Sequence, residues 1–275
     1  MKIEQFFRKH PVFTWQTFLR ELDPSTTKNR NTLKNTLAYH LKVGHVVRIK
    51  RGLFASIPYG ADPRNYIVDP FLVAGFMAED ALIGYHSALQ FYGAAYSVSY
   101  RYLYLTKTKA REVDFQGITF RASPFPKPLI TKKQTHCYTV KKDIQGLSVL
   151  ITSKERTLVD ALDRPLLARG WEEIWRSLNM IERFNIKDII DYALLLGTAT
   201  TIAKVGFYLE RRQQELNVSE SELRTLEKHC PVSAHYIENY FKEKCKYIKR
   251  WNIIVPESIV NQNWDEDEFS HGDMI

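Results

Sequence analysis

Apolar positions recur at helical spacing in the first 43 residues and then at strand-like spacing. They predict helices over residues 2–9, from a Thr14 N-cap to Leu22, and over about 26–43, ending at Gly44. Two short strands follow, Val46–Ile49 and Leu53–Ile57, joined by Lys50, Arg51 and Gly52. Three helices and a basic hairpin are typical of a winged helix-turn-helix, which we predict for residues 1–60.

The third predicted helix has two unlike faces. Leu33, Leu37 and Leu41 form one stripe, which we expect to be buried. The opposite face is polar, and its residues and their flanking neighbours are Lys28, Asn31, Asn35, Tyr39, Lys42, Thr27, Thr32 and Lys34. Asparagine pairs with adenine edges, whereas lysine and threonine mostly bind phosphates. We therefore expect Asn31 and Asn35 to read bases.

The hairpin supplies further cations for DNA binding. Arg48, Lys50 and Arg51 are expected to reach flanking phosphates or the minor groove. Arg30 lies nearer the leucine stripe and is a weaker candidate. An ordinary solvated helix is the alternative interpretation, but it leaves the charges of the hairpin unexplained.

The remainder of the chain predicts a larger domain of mixed structure. Residues 59–66 have the composition of a linker, so we place the C-terminal domain at residues 66–258. Strand-like runs occupy about residues 96–151, and helical patterns follow up to a closing strand at YIKRWNIIVP. The fold class is therefore α+β, with strands in the middle of the C-terminal domain and helices in its second half.

Capping residues predict where several of these helices begin. Asp69 precedes Pro70 as an N-cap, Thr152 with Glu155 resembles a capping box, and Ser219 with Glu222 repeats that box. Residues 261–275 are acidic with few apolar residues, and we expect them to form a disordered tail.

The net charge of +8 is concentrated in the N-terminal domain. Residues 1–60 contain 11 Lys and Arg against three Asp and Glu, which accounts for the whole excess. A basic module on a neutral body suits phosphate binding, because cations that neutralise phosphates release counterions and give most of the nonspecific affinity. This distribution favours double-stranded DNA as a partner over a generally lysine-rich surface.

Nothing in the sequence indicates a membrane or an oxidising compartment. No run of about 18 apolar residues occurs, and the start MKIEQFFRKHPVF lacks the apolar stretch of a secretory signal. Cys137, Cys230 and Cys245 are widely spaced and show no zinc or disulfide pattern. We expect a cytoplasmic protein with free thiols.

The sequence contains no established catalytic or cofactor motif. Adjacent His86 and Ser87 do not face one another on a helix, so a core or capping histidine is favoured over a nucleophile–base pair. Lys154, Glu155, Arg156 and Asp160 suggest either a nuclease-like metal site or capping and ion pairing, and the second is favoured. Trp171 and Trp175 are expected in the core. We expect no enzyme activity, cofactor or metal.

In five short segments, taken in order, the chain resembles the AbiEi antitoxins of bacterial abortive-infection, type IV toxin–antitoxin systems. The segments are the wing RGLFA with Asp69-Pro70, GYHSALQFYG, SKERTLVDAL, VGFYLE at 205–210, and WNIIVP. Within them lie six positions to which the resemblance assigns no role: His86, Ser87, Glu155, Arg156, Thr157 and Asp160.

The resemblance implies a bacterial transcriptional repressor of its own operon that is also an antitoxin in phage defence. Its C-terminal domain would counteract a nucleotidyltransferase-type toxin without forming a stable complex with it. The acidic tail and the Asn-rich helix face depart from the family, which leaves the operator and the role of the tail open. A winged-helix regulator that senses a small ligand, and an enzyme localised on nucleic acid, remain as alternatives.

Overall fold

The apolar stripes of the N-terminal helices meet over one small core in the computed structural model, which describes residues 3–22, 30–237 and 244–262. The elements are α1 (Ile3–Lys9), β1 (Val12–Thr14), α2 (Trp15–Leu22), α3 (Arg30–Lys42), β2 (Val46–Lys50) and β3 (Leu53–Ser56). The strands form an antiparallel sheet in the order β1-β3-β2. Buried phenylalanines fill the core, among them Phe6, Phe13 and Phe18.

The sequence predicted most of this segment. The three helices and the hairpin are confirmed, and Thr14 caps α2, because its Oγ1 accepts a hydrogen bond from Thr17 N at 3.1 Å. The start of the third helix, predicted at about residue 26, lies outside the described residues. Strand β1 was not predicted; with three residues it is too short to show a period of two.

The middle of the chain builds a mixed six-stranded sheet. Its elements, with the helices between them, are α4 (Pro70–Gly75), β4 (Leu82–Ile83), α5 (Tyr85–Phe91), β5 (Arg101–Thr106), β6 (Val113–Phe115), β7 (Ile118–Pro124), α6 (Lys127–Thr131), β8 (Thr139–Ile144) and β9 (Leu147–Thr152). The strand order is β6-β7-β5-β4-β9-β8. Strand β5 runs parallel to β7 and antiparallel to β4. The strand-like run was predicted to begin at about residue 96, whereas the first strand in that run, β5, begins at Arg101.

Helices dominate the last part of the chain. They are α7 (Lys154–Asp163), a 3₁₀ turn (Pro165–Ala168), α8 (Trp171–Asn179), α9 (Ile186–Leu196), α10 (Ala199–Arg211), α11 (Glu220–Glu227) and α12 (Glu257–Asn261). A small sheet accompanies them, with β10 (His235–Tyr236), β11 (Cys245–Ile248) and β12 (Ile253–Pro256) in the order β10-β12-β11. The mixed α+β fold class is therefore confirmed.

Two of the predicted N-caps are confirmed, whereas the predicted cap of α7 and the predicted closing strand differ from the structure. The N-caps Asp69 and Ser219 are confirmed, the second in a complete capping box. The N-cap of α7 is Ser153 instead of Thr152: its side chain accepts a hydrogen bond from Arg156 N. The closing segment is a hairpin instead of one strand, because Asn252 takes a positive φ between β11 and β12.

The chain divides into two units: residues 1–87, 99–125 and 139–151, and residues 88–98, 126–138 and 152–275. The N-terminal helices and the six-stranded sheet belong to the first unit, so this division does not fall at the predicted linker, 59–66. An independent domain at residues 1–60 stays a prediction. Most of the predicted tail, residues 263–275, lies outside the described residues.

Candidate nucleic-acid interface

Helix α3 presents the two faces that its sequence predicted. Leu33 and Leu37 are each 5% exposed in the N-terminal core, and Leu41 packs against them. The other predicted contact residues of this helix are exposed; they are Asn31, Thr32, Lys34, Asn35, Tyr39 and Lys42. The remaining two, Thr27 and Lys28, lie outside the described residues. The exposed set therefore forms one polar face along three turns of helix.

The turn between β2 and β3 brings two arginines to the surface. Gly52 takes a φ of +82°, which glycine adopts without strain, and this lets the strands reverse within two residues. Arg48 and Arg51 are both exposed, and the Arg48 guanidinium lies 5.8 Å from the centroid of the Phe54 ring. Stacking on that ring holds the stem of Arg48 while its charge stays in solvent.

Lys50 differs from the two arginines with which the sequence grouped it. Its Nζ donates a hydrogen bond to the carbonyl oxygen of Met77 at 2.5 Å, and partial burial lowers its pKa. The β2–β3 register shifts between Arg48 and Lys50, so the strand alternation that would expose both is interrupted. Lys50 therefore binds the chain just after α4 instead of standing free beside Arg51.

The charge of this surface is one-sided. Residues 24–61 contain no Asp or Glu, so neither α3 nor the hairpin carries an acid of its own. The Glu21 carboxylate from α2 binds His10 Nε2 at 2.7 Å. A concave or flat surface lined by cations without acids attracts polyanions, and that attraction weakens as salt screens it.

A histidine pair lies at the end of α3. The Nδ1 atoms of His40 and His45 are 3.2 Å apart, and the ring of Phe7 packs against His40. Burial and the neighbouring His45 lower the pKa of His40, and Glu4 opposes them. One ring donates to the other in this pair, so the ring that accepts is neutral at its Nδ1.

His86 and Ser87 lie in the core on α5. They are 1% and 0% exposed, and Ser87 Oγ accepts a hydrogen bond from Leu103 N of β5 at 2.7 Å. That bond anchors the helix to the sheet. The expectation of a core histidine is confirmed, and Ser87 holds a strand in place.

Arg156 and Asp160 form a fully buried ion pair on α7. Arg156 Nε donates to Asp160 Oδ2 at 3.1 Å, and Nη1 donates to the carbonyl oxygens of Thr135 and Cys137. The Tyr192 hydroxyl of α9 donates to Asp160 Oδ1 at 2.6 Å. Burial raises the pKa of the Asp160 carboxyl, which the Arg156 charge and the Tyr192 hydroxyl oppose. The group links α7, α9 and the segment before β8.

The two remaining motif residues of α7 also make structural contacts. Thr157 Oγ1 donates to the carbonyl oxygen of Ser153 at 2.7 Å, within the first turn. The Glu155 carboxylate accepts from Asn185 N, the residue that caps α9. The expected ion pairing of Arg156 with Asp160 is confirmed, whereas the predicted capping box of Thr152 with Glu155 is wrong. The side chains of Trp171 and Trp175 are buried as expected.

Two other motif segments pack against each other, which the sequence did not indicate. A Cβ on Gly206 of α10 would lie 2.1 Å from the Trp251 ring, so only glycine fits there. Trp251 Nε1 donates to Glu210 Oε2 at 2.6 Å, and Arg250 binds the carboxylates of Glu210, Glu220 and Glu227. VGFYLE and WNIIVP are thus two halves of one packing unit.

Comparison with known proteins gives a likeness in fold. The chain is similar to the Rv2827c protein from Mycobacterium tuberculosis, with a TM-score of 0.59 and 13% sequence identity over 95% of this chain and 93% of that chain. No family model and no curated protein matches the chain. The structural likeness at this identity shows the fold alone.

The described residues also contain neither a metal cluster nor a membrane-spanning helix. Within residues 3–22, 30–237 and 244–262, no three His, Cys, Asp or Glu side chains are grouped so that they could hold a metal ion. In the same ranges, no helix combines the length and apolar character needed to cross a bilayer.

Proposed function

We propose that the N-terminal segment is a winged helix-turn-helix that binds double-stranded DNA. The observation that carries this proposal is the polar face of α3 beside Arg48 and Arg51, on a stretch of 38 residues, 24–61, without an acid. In this proposed arrangement α3 is the recognition helix in the major groove, α2 crosses the DNA phosphate backbone, and the β2–β3 hairpin is the wing. Both the order of elements and the charge of the surface support it.

The residues of the face divide by chemistry into readers and anchors. Asn31 and Asn35 present amides that can bond adenine N6 and N7 in the major groove. The anchors bind phosphate oxygens and fix the register; they are Thr32, Lys34, Tyr39, Lys42, Arg48 and Arg51, with Thr27 and Lys28 in addition. Lys50 supports the wing through Met77 in place of a phosphate contact.

The affinity of such a surface should depend steeply on salt. Each neutralised phosphate contributes about 0.9 to the slope of log K against log salt. The four exposed cations Lys34, Lys42, Arg48 and Arg51 therefore predict a slope of about −3.6, before any contribution from Lys28.

We further propose that the protein represses its own operon and acts as an antitoxin against a nucleotidyltransferase-type toxin. The support for this step is the resemblance to the AbiEi family. Three of the segments that carry it, SKERTLVDAL, VGFYLE and WNIIVP, lie in the second unit and contribute buried residues to its core. The antitoxin activity is assigned to the C-terminal domain, residues 66–258, in a bacterial abortive-infection system. A stable complex with the toxin is not part of the proposal.

The DNA proposal is tested by titrating the full chain against the DNA upstream of its gene and against scrambled DNA at several salt concentrations. The variant is Lys34→Gln/Lys42→Gln, and the matched control is Lys141→Gln/Lys142→Gln, which removes the same charge from exposed positions on β8. The first should lower the salt slope by about 1.8, and the control should not. Equal slopes for all three proteins would exclude this face.

The antitoxin proposal has its own test. The proposal requires a nucleotidyltransferase-type toxin in the same operon; the chain is co-expressed with that toxin, and growth is followed. Rescue by the full chain and by Lys34→Gln/Lys42→Gln alike is expected, because antitoxicity is assigned to the C-terminal domain. Growth arrest in the presence of the folded chain would contradict that assignment.

A further inference from the structure

A second cationic segment lies in the six-stranded sheet, on the loop between β5 and β6. Residues 107–112 read KTKARE, and all six are exposed. The loop carries Lys107, Lys109 and Arg111. It belongs to the same unit of the structure as α3 and the hairpin.

A chain of short contacts brings this loop near the hairpin. Lys50 Nζ is bonded to the Met77 carbonyl oxygen, and three residues later the Asp80 carboxylate accepts hydrogen bonds from Thr106 Oγ1 and Lys107 N. Three residues span at most about 11 Å, so the loop begins within roughly 20 Å of Lys50.

A second set of contacts supports the same placement. The Gln116 side chain, at the turn after β6, accepts from Val68 N and donates to the Tyr66 carbonyl oxygen. Strands β2 and β6 also approach one another. The edge of the sheet that carries the loop is therefore the edge beside the hairpin.

Two acids near the loop, Asp80 and Glu112, are engaged by other groups. The Asp80 carboxylate binds the start of the loop, and the charge of Lys107 helps to lower the pKa of that carboxyl, although burial opposes this. Glu112 pairs with Arg121 of β7 at 3.3 Å. Lys109 and Arg111 remain as exposed cations at the tip of the loop.

We propose that Lys109 and Arg111 bind phosphates of the same DNA duplex that α3 reads, beyond the hairpin. This inference rests on the proposed function and extends its footprint. The loop begins no more than roughly 20 Å from Lys50, a span of at most about six base pairs at 3.4 Å each, so a duplex bound beside the hairpin is long enough to reach the loop. The contact is to the backbone, since Lys109 and Arg111 are exposed cations that neutralise phosphates without reading sequence.

The test compares two edges of one sheet. Lys109→Gln/Arg111→Gln removes two charges from the β6 edge, and Lys141→Gln/Lys142→Gln removes two from β8 at the opposite edge. Both are made in the full chain, and binding to upstream and to scrambled DNA is titrated with salt. The first variant should lower the slope by about 1.8, which corresponds to binding about 60-fold weaker at 0.1 M salt, for both DNAs, when affinities are matched at 1 M salt. Its footprint should shorten on one side.

The outcomes separate the two proposals. If the wild-type chain binds upstream DNA and Lys109→Gln/Arg111→Gln keeps the wild-type slope, the loop contact is wrong and the α3 interface stands. If both double variants lose the same slope, the effect is one of total charge and the loop contact is again wrong. If the wild-type chain does not bind DNA, both proposals fail. Circular dichroism of each variant verifies that the exposed substitutions leave the fold intact.

Discussion

Basic side chains serve opposite purposes on α3 and on α7. On α3 and the hairpin the lysines and arginines other than Lys50 are exposed, and no acid occurs in residues 24–61. On α7, Arg156 is fully buried and its charge is met by Asp160 and two backbone carbonyls. The buried arrangement on α7 gives the more conspicuous sequence motif, because burial restricts each position to one residue type. An exposed face such as that of α3 accepts several residue types at each position. The conspicuous segment here stabilises the fold, and the plainer one carries the proposed function.

The largest expected effect on the free energy of unfolding comes from breaking the buried ion pair of Arg156 with Asp160. Arg156→Met leaves the Asp160 carboxylate buried without its cation, which typically costs about 3–5 kcal/mol. The midpoint of urea unfolding, followed by fluorescence, should fall accordingly. Arg48→Met at the exposed surface should stay within about 0.5 kcal/mol of wild type. Similar losses in both variants would mean that burial does not distinguish the two arginines.

A smaller effect is expected where α10 meets the closing hairpin. In a helix interior, Gly→Ala usually stabilises by about 0.5–1 kcal/mol. For Gly206→Ala the added methyl would overlap the Trp251 ring, so we expect a loss of about 1–3 kcal/mol of unfolding free energy.

The matched background for that substitution is Trp251→Leu. With the ring removed, Gly206→Ala should become neutral or stabilising, measured against Trp251→Leu alone. If Gly206→Ala costs the same in both backgrounds, the close approach to Trp251 is not its cause.

On the exposed face of α3, substitutions can separate the proposed base-reading residues, Asn31 and Asn35, from a proposed phosphate-binding residue, Lys34. Asn31→Ala and Asn35→Ala should each reduce discrimination between upstream and scrambled DNA by about 1–3 kcal/mol and leave the salt slope unchanged. Lys34→Gln should weaken binding to both DNAs and lower the slope by about 0.9. The ratio of dissociation constants at fixed salt checks both expectations, and a changed slope for the asparagine variants would contradict the division.

The smallest expected effect is a pH dependence confined to the buried region. Burial raises the pKa of Tyr208 to about 12, although Arg212 opposes the shift. The raised value means that stability is complete below pH 10 and is lost above it, as the unfolded chain ionises first. Tyr208 alone should contribute up to about 1.4 kcal/mol per pH unit to the fall in unfolding free energy between pH 10 and 12, in addition to other buried tyrosines whose pKa is raised. Tyr208→Phe should flatten this fall, and Tyr59→Phe at the surface should not.

The sequence predicted those parts of the fold that have a clear local period. The leucine stripe of α3 and the caps Asp69 and Ser219 depend on neighbouring residues only, so spacing revealed them. Strand β1 was missed because three residues show no alternation. The cap of α7 was misplaced by one residue, because Thr152 and Ser153 offer the same hydroxyl and only the backbone path selects between them.

Contacts between distant residues could not be predicted. Lys50 was grouped with the arginines because nothing near it in sequence indicates Met77, which follows 27 positions later. The packing of Gly206 under Trp251 joins residues 45 positions apart, and the burial of Arg156 depends on Thr135 and Cys137 from another segment. Helical spacing in the sequence therefore predicted the exposed face of α3, but it could not predict the hydrogen bond of Lys50 to Met77.

The bond from Lys50 to Met77 has a further consequence for how the protein would meet a ligand. It fixes the hairpin to the chain after α4, and the bonds of Gln116 to Tyr66 and Val68 fix the turn after β6 to the segment that follows the hairpin. If α3 and the β5–β6 loop contact one duplex as proposed, the second contact would form at high effective concentration once the first is made. Under that proposal these hydrogen bonds would help to set the spacing of a bivalent binder.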